Sequence, residues 1–223
     1  MVADTRVDGP LVAVAVTRSL VLVLAVGTSG CGVLTHARPT PAGKLALEAA
    51  AGGPMASLGG VPVPLPLATV GASYGLAERW DVAAHVHLTP LLMFRTAGFD
   101  LGATYLLLDQ RGAVPALALS SRAYAFTDFR SAVLPYVDLS GTASWQLGRV
   151  FLGYATLTAM LPYDARFTLS PAVGATAELG RFTVQLELRW YDPTYDTGPA
   201  IAPWLSPGGH GALGLILGGA FRL

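Results

Sequence analysis

The chain has 223 residues, enough for one domain or one membrane barrel; 52% are hydrophobic, 13% are charged, and the mean hydropathy is +0.52. A soluble domain usually carries about 25% charged residues, so the charge that an ordinary water-facing surface needs is missing. Formal net charge is zero and Lys44 is the only lysine, which leaves no basic footprint for a nucleic-acid partner.

Leu20 to Val26 is a short apolar run preceded by Arg18 and followed by Thr28-Ser29-Gly30-Cys31. A charged start, a short apolar core and small residues before a cut predict a signal peptide over residues 1–30. Asp4 and Asp8 sit where such a segment is normally basic, so its start is expected downstream, near Val16. The small residues before Cys31 resemble the bacterial lipobox, with Thr28 where that motif carries leucine, and the resemblance implies lipidation of Cys31. A lone cysteine has no internal disulfide partner. Residues 31–42 hold Pro39 and Pro41 and no core-forming pattern, so they are expected to form a periplasmic tether.

Beyond residue 31 no run of about 20 apolar residues offers a membrane helix. Glycine and proline recur throughout and interrupt any long helix. The other structure that satisfies every backbone polar group in lipid is a closed barrel. Past Gly43 the hydrophobicity alternates with period 2. It predicts ten strands (eight being the alternative), at 44–52, 65–75, 80–88, 97–108, 113–125, 132–146, 149–160, 167–179, 181–191 and 211–223. The clearest is the ninth. Phe182, Val184, Leu186, Leu188 and Trp190 alternate there with Arg181, Thr183, Gln185, Glu187 and Arg189.

Asp81, His85, His87, Asp100, Arg122, Asp138, Glu178, Gln185, Glu187 and Arg189 fall on the polar faces, which are expected to line a lumen. Lys44, Glu48 and Arg181 are placed on the same side. Short turns follow the second, fourth, sixth and eighth strands, near 75–79, 109–112, 146–149 and 178–181, and longer loops separate the others. Tyr74, Trp80, Trp145 and Phe182 are expected in one aromatic girdle. Phe167 and Trp190, with Tyr163 and Phe126, are expected at the other rim. The chain ends Gly218-Gly219-Ala220-Phe221-Arg222-Leu223. Phe221 and Leu223, two residues apart, resemble the C-terminal signature of outer-membrane barrels.

Alternation, turn lengths and ending together resemble a bacterial outer-membrane protein over roughly residues 43–223. The resemblance implies a closed, antiparallel, up-and-down transmembrane β-barrel in the outer membrane. It also implies contact with outer-membrane lipid and with the barrel-assembly machinery, and a monomer. A soluble calycin-like ligand carrier would show the same alternation with the faces inverted.

His85 and His87 share a face with Asp81, and an HxH pair on a strand could offer two metal ligands. Nothing nearby in sequence completes a site, so no metal and no cofactor are expected. Lipid-modifying outer-membrane enzymes pair Ser with His, but His210 has Ala212 two residues on and no serine is marked by a motif. No catalytic residue is assigned and no enzyme is expected. The expected role is structural, adhesive or envelope-interacting. A narrow small-solute channel, a lipid-modifying hydrolase and a soluble carrier are the alternatives.

Overall fold

A computed structural model describes residues 33–129, 133–162, 167–198 and 203–223. The expected signal peptide, Cys31 and Tyr163 lie outside these. Eleven strands follow in chain order: β1 (Leu45–Leu58), β2 (Val61–Pro64), β3 (Leu67–Ala77), β4 (Trp80–His87), β5 (Ala97–Leu108), β6 (Ala116–Thr127), β7 (Val133–Leu147), β8 (Phe151–Pro162), β9 (Thr168–Leu179), β10 (Phe182–Asp196) and β11 (His210–Arg222). From β3 onward each strand pairs antiparallel with the next. The sheet closes where Ala46 to Pro54 of β1 lie opposite Arg222 to Gly214 of β11. β2 pairs only with Met55–Leu58, as a flap on the outer half of β1, so the closed barrel has ten staves. Closure matters physically because it leaves no unpaired edge.

The ends of the barrel differ. Residues 78–79, 109–115, 148–150 and 180–181 connect strands at one end, close to Leu45 and Arg222. At the other end the connections from β1 to β3, β4 to β5 and β10 to β11 are longer, and one of them includes a short helix, α1 (Leu88–Phe94), in a stretch expected to be loop. β1 and β10 also run further than their alternation suggested, because both continue as hairpin arms beyond the barrel wall. Gly52 marks the step on β1. Its φ is 141°, and a Cβ there would lie 2.1 Å from the Leu215 carbonyl oxygen.

The polar faces point inward. On β10, Gln185, Glu187 and Arg189 are buried, while Phe182, Val184, Leu186 and Leu188 are exposed. Glu187 is 0% exposed and its neighbour Leu186 is 49% exposed. A soluble barrel has the opposite order, with apolar side chains inside. Tyr74, Trp80, Trp145 and Phe182 lie on the outer face toward the short-turn end, with Trp80 stacked on Tyr105 at 4.6 Å and Phe182 on Phe221 at 4.8 Å. Leu223 caps the closure through a 2.9 Å bond from its amide to the Leu45 carbonyl. Phe167 and Trp190 face outward toward the long-loop end.

Phe126 does not join that rim. It is 2% exposed and lies in the lumen beside His87 and Tyr136. Its parity with Arg122 and Tyr124 on β6 dictates this.

Lumen glycines make room for rings from the neighbouring strand. Gly71 faces His85, Gly98 faces Phe126 and Gly174 faces Tyr154 across their strand pairs. A Cβ on Gly174 would meet the Tyr154 ring at 2.2 Å. Gly174→Val is therefore expected to displace Tyr154 and cost about 1–3 kcal/mol as overpacking, read as a lowered unfolding midpoint in detergent. An unchanged midpoint would mean that the ring has another place to go.

The interior also holds a stretch of the chain expected elsewhere. Residues 33–41 do not trail outside as a tether but run within the barrel. Val33 packs with Tyr124, Phe126 and Tyr136; Leu34 packs with Ala50 and Ile216; Ala37 packs with Leu152 and Tyr154. Val33 lies in the long-loop half, and Ala42 bridges to Gly75 at the short-turn end. The segment is apolar and polar by turns without a strand period, so it forms no wall, but the lumen supplies partners for both kinds of side chain.

Candidate functional site in the lumen

Two polar clusters fill the barrel around this segment. The first spans β1 and β3 to β7. Glu48 on β1 accepts from Ser73, and its Oε2 lies 2.9 Å from His85 Nε2 and 3.0 Å from His36 Nε2. Asp100 on β5 lies 2.8 Å from His85 Nδ1, 2.9 Å from His87 Nε2 and 3.4 Å from Arg122 Nε. Asp81 on β4 meets the segment itself, 3.3 Å from His36 Nδ1 and accepting the Thr40 amide at 2.7 Å. Asp138 on β7 accepts from the Tyr124 hydroxyl at 2.6 Å.

The second cluster lies on β8 and β10. Arg189 binds Glu187 at 2.7 and 2.8 Å, and Tyr154 donates to the other Glu187 oxygen at 2.8 Å. Gln185 donates to Tyr154 at 2.8 Å. Thr35 of the segment ties in from the centre, accepting from Arg189 at 3.1 Å and from Gln185 at 3.0 Å. Nearer the short-turn end Arg38 donates to Gln110 at 2.9 Å and to Ser144 at 3.3 Å.

Nine of the ten polar residues expected in the lumen belong to these clusters: Asp81, His85, His87, Asp100, Arg122, Asp138, Gln185, Glu187 and Arg189. Glu178 is at the mouth instead, 43% exposed and 3.3 Å from Arg222. Lys44 and Arg181 are exposed at the same end. All three sit within a residue or two of a turn or strand end, where the wall gives way to solvent.

Sequence reasoning missed His36, Thr35, Arg38 and Thr40. A signal for them exists. Five buried carboxylates (Glu48, Asp81, Asp100, Asp138 and Glu187) face two strand-borne guanidiniums, Arg122 and Arg189. Buried charges must be paired, so that imbalance calls for cationic or donor groups from outside the wall.

The segment occupies the lumen. A cavity of about 30 Å³ lies between Val33–His36, the wall of β4 to β8 and Arg189, room for a water or two. On the other side a funnel of about 550 Å³ opens from the short-turn end, with Arg38, Gln146, Arg149, Glu178 and Arg222 on its walls.

Fold and interior together define a ten-stranded antiparallel barrel, apolar outside, filled by its own N-terminal segment. No family model matches the sequence, and no curated protein matches it. Among solved structures the chain is similar to the COG4313 outer membrane channel from Pseudomonas putida F1, with 12% identity, a TM-score of 0.44, and coverage of 86% of this chain and 99% of that one. It is similar to the translocator domain of autotransporter NalP from Neisseria meningitidis, with 13% identity, a TM-score of 0.41, and coverage of 95% and 97%. The Pseudomonas aeruginosa protein OccK11 (OpdR) follows, with 11% identity, a TM-score of 0.31, and coverage of 81% and 63%. At these scores the likeness adds nothing to the strand pairing, which itself defines the barrel.

Proposed function

We propose that the chain is an integral barrel of the bacterial outer membrane, held closed by residues 33–41, with a structural or envelope-interacting role rather than an enzymatic one. The observation that carries the membrane reading is the outer face of β10, where Leu186 and Leu188 are exposed beside a fully buried Glu187. Such a face is costly in water and favourable in lipid.

Leu186 lies midway between Phe182 and Trp190, the aromatics that bracket β10 at the two rims. Leu186→Arg is expected to cost about 2–4 kcal/mol of stability in a bilayer, and Phe182→Arg, at an interface, about 0–1 kcal/mol. Unfolding from phospholipid vesicles measures both. Equal and small effects would place this face in water and remove the membrane reading. Heat-modifiable mobility of the protein extracted from outer-membrane fractions is the companion test.

A narrow small-solute channel is the second reading. What favours it is the funnel, which already penetrates to Thr35 and His36. The segment that stops it is bound by hydrogen bonds, ion pairs and apolar contact, none of them covalent.

A further inference from the structure

We infer that His36, Glu48 and His85 form a binding site for one divalent transition-metal ion, of which Zn²⁺ is the probe, and that the ion fastens the N-terminal segment to the barrel wall. The site stands on lumen geometry alone and does not depend on where the barrel resides.

The first argument is convergence. His36 Nε2 and His85 Nε2 approach the same oxygen of Glu48, at 3.0 and 2.9 Å. The three ligand atoms lie within 4.8 Å of one another. A four-coordinate zinc with bonds of about 2.0–2.1 Å needs donors a little over 3 Å apart. The Glu48 oxygen must draw back a few tenths of an ångström from each imidazole and the two imidazole nitrogens, within 4.8 Å of one another, must close together, and His36 is on the segment rather than on a strand. Two imidazoles and one carboxylate suit zinc and its neighbours better than calcium or magnesium, which demand more oxygens.

The second argument lies behind the ligands. Each imidazole turns its other nitrogen to a buried carboxylate: His85 Nδ1 to Asp100 at 2.8 Å and His36 Nδ1 to Asp81 at 3.3 Å. This is the arrangement that orients metal-bound histidine, since an Nδ1–H held by a carboxylate leaves an Nε2 lone pair for the ion. As neutral Nδ1–H tautomers the two histidines turn those lone pairs toward an oxygen that is also an acceptor; protonated, each donates to it, and a divalent ion would take the place of those two protons. One divalent ion satisfies both contacts and supplies positive charge among Glu48, Asp81 and Asp100, which have Arg122 at 3.4 Å from Asp100 as their strand-borne cation.

The third is a buried orphan. Asp81 is 0% exposed, and its Oδ1 has no hydrogen-bond partner among the described residues. Its carboxylate carries more acceptor capacity than the segment uses. An unmet acceptor beside His36 marks a cluster richer in negative charge than its described donors satisfy.

The test uses the full chain, refolded in detergent, stripped with chelator and titrated with Zn²⁺ by calorimetry, with Co²⁺ absorption as a second readout. The expected result is one ion per chain, with cobalt bands of a four-coordinate nitrogen and oxygen site. His36→Ala and His85→Ala are expected to abolish stoichiometric binding. Asp100→Asn is expected to weaken it about 10- to 100-fold. His210→Ala, a change at an exposed histidine outside the lumen, is expected to leave it unchanged. His36→Ala touches no strand, so heat-modifiable mobility of that variant verifies that the barrel is intact. Absence of stoichiometric zinc on the wild-type chain would overturn the site. So would binding that survives His36→Ala, or binding lost equally in His210→Ala.

Discussion

A chain beginning at Pro41 is expected to conduct ions where the longer chain, with residues 33–40 in place, gives a flat baseline in planar bilayers. The segment fills the barrel from Val33 in the long-loop half to Thr40 near the short-turn end, and the void between it and the β4–β8 wall is about 30 Å³. Removing it joins the funnel of about 550 Å³ to the space that Thr35, His36 and Leu34 now occupy. The opened lumen is also expected to select cations. Glu48, Asp81, Asp100, Asp138 and Glu187 then line a wall whose buried cations are Arg122 and Arg189. The reversal potential in a salt gradient reads this sign. A truncated chain that retains heat-modifiable mobility yet stays silent at every voltage would show that wall side chains alone seal the barrel. The channel reading would then fall. Steps from the untruncated chain, equal to those of the shorter one, would show that the segment does not occlude at all.

The wall of this barrel was legible in the sequence, and the filling was not. The reason lies in periodicity. A strand shows one face to lipid and one to the lumen, so period 2 is written into every stave, and the ten predicted strands match the ten observed with shifts of a few residues at their ends. The same alternation carried Asp100, Gln185 and Glu187 to the inside. It failed at Glu178, Lys44 and Arg181 because alternation gives direction without depth, and these lie where the wall ends. Phe126 was misplaced by reading an aromatic as a rim residue when its parity with Arg122 already set its direction. Residues 33–41 have no period, since each side chain answers a different part of the wall: His36 two acids, Thr35 an arginine, Val33 three rings. A segment with no self-pattern looks like a tether. What distinguishes it is the unmatched charge on the strands around it, visible only after the inward residues are tallied together. That is also why no further imidazole could be found in sequence for His85: His36, which shares the Glu48 oxygen with it, arrives from a stretch read as linker.

The inner ion pair on β10 supplies the largest expected loss of stability. Glu187 accepts from Arg189 on one oxygen and from Tyr154 on the other, with its side chain fully buried. Glu187→Leu removes the carboxylate and leaves a buried guanidinium with the Thr35 hydroxyl at 3.1 Å and the Tyr191 ring centroid 5.9 Å away. Breaking one side of such a pair costs about 3–5 kcal/mol, because the partner charge stays buried without compensation. Guanidinium unfolding in detergent micelles is expected to show that loss. The double change Glu187→Leu with Arg189→Met is expected to recover most of it, since no charge is then stranded. A loss below about 1 kcal/mol for the single change would mean that water reaches the pair and screens it, as at a protein surface. The two experiments are linked. In the chain beginning at Pro41, Thr35 is gone and water enters the lumen, so the cost of Glu187→Leu is expected to shrink toward the surface value. If it stays at 3–5 kcal/mol there, the second cluster is dry without the segment, and the segment's role is confined to the Glu48 side of the barrel.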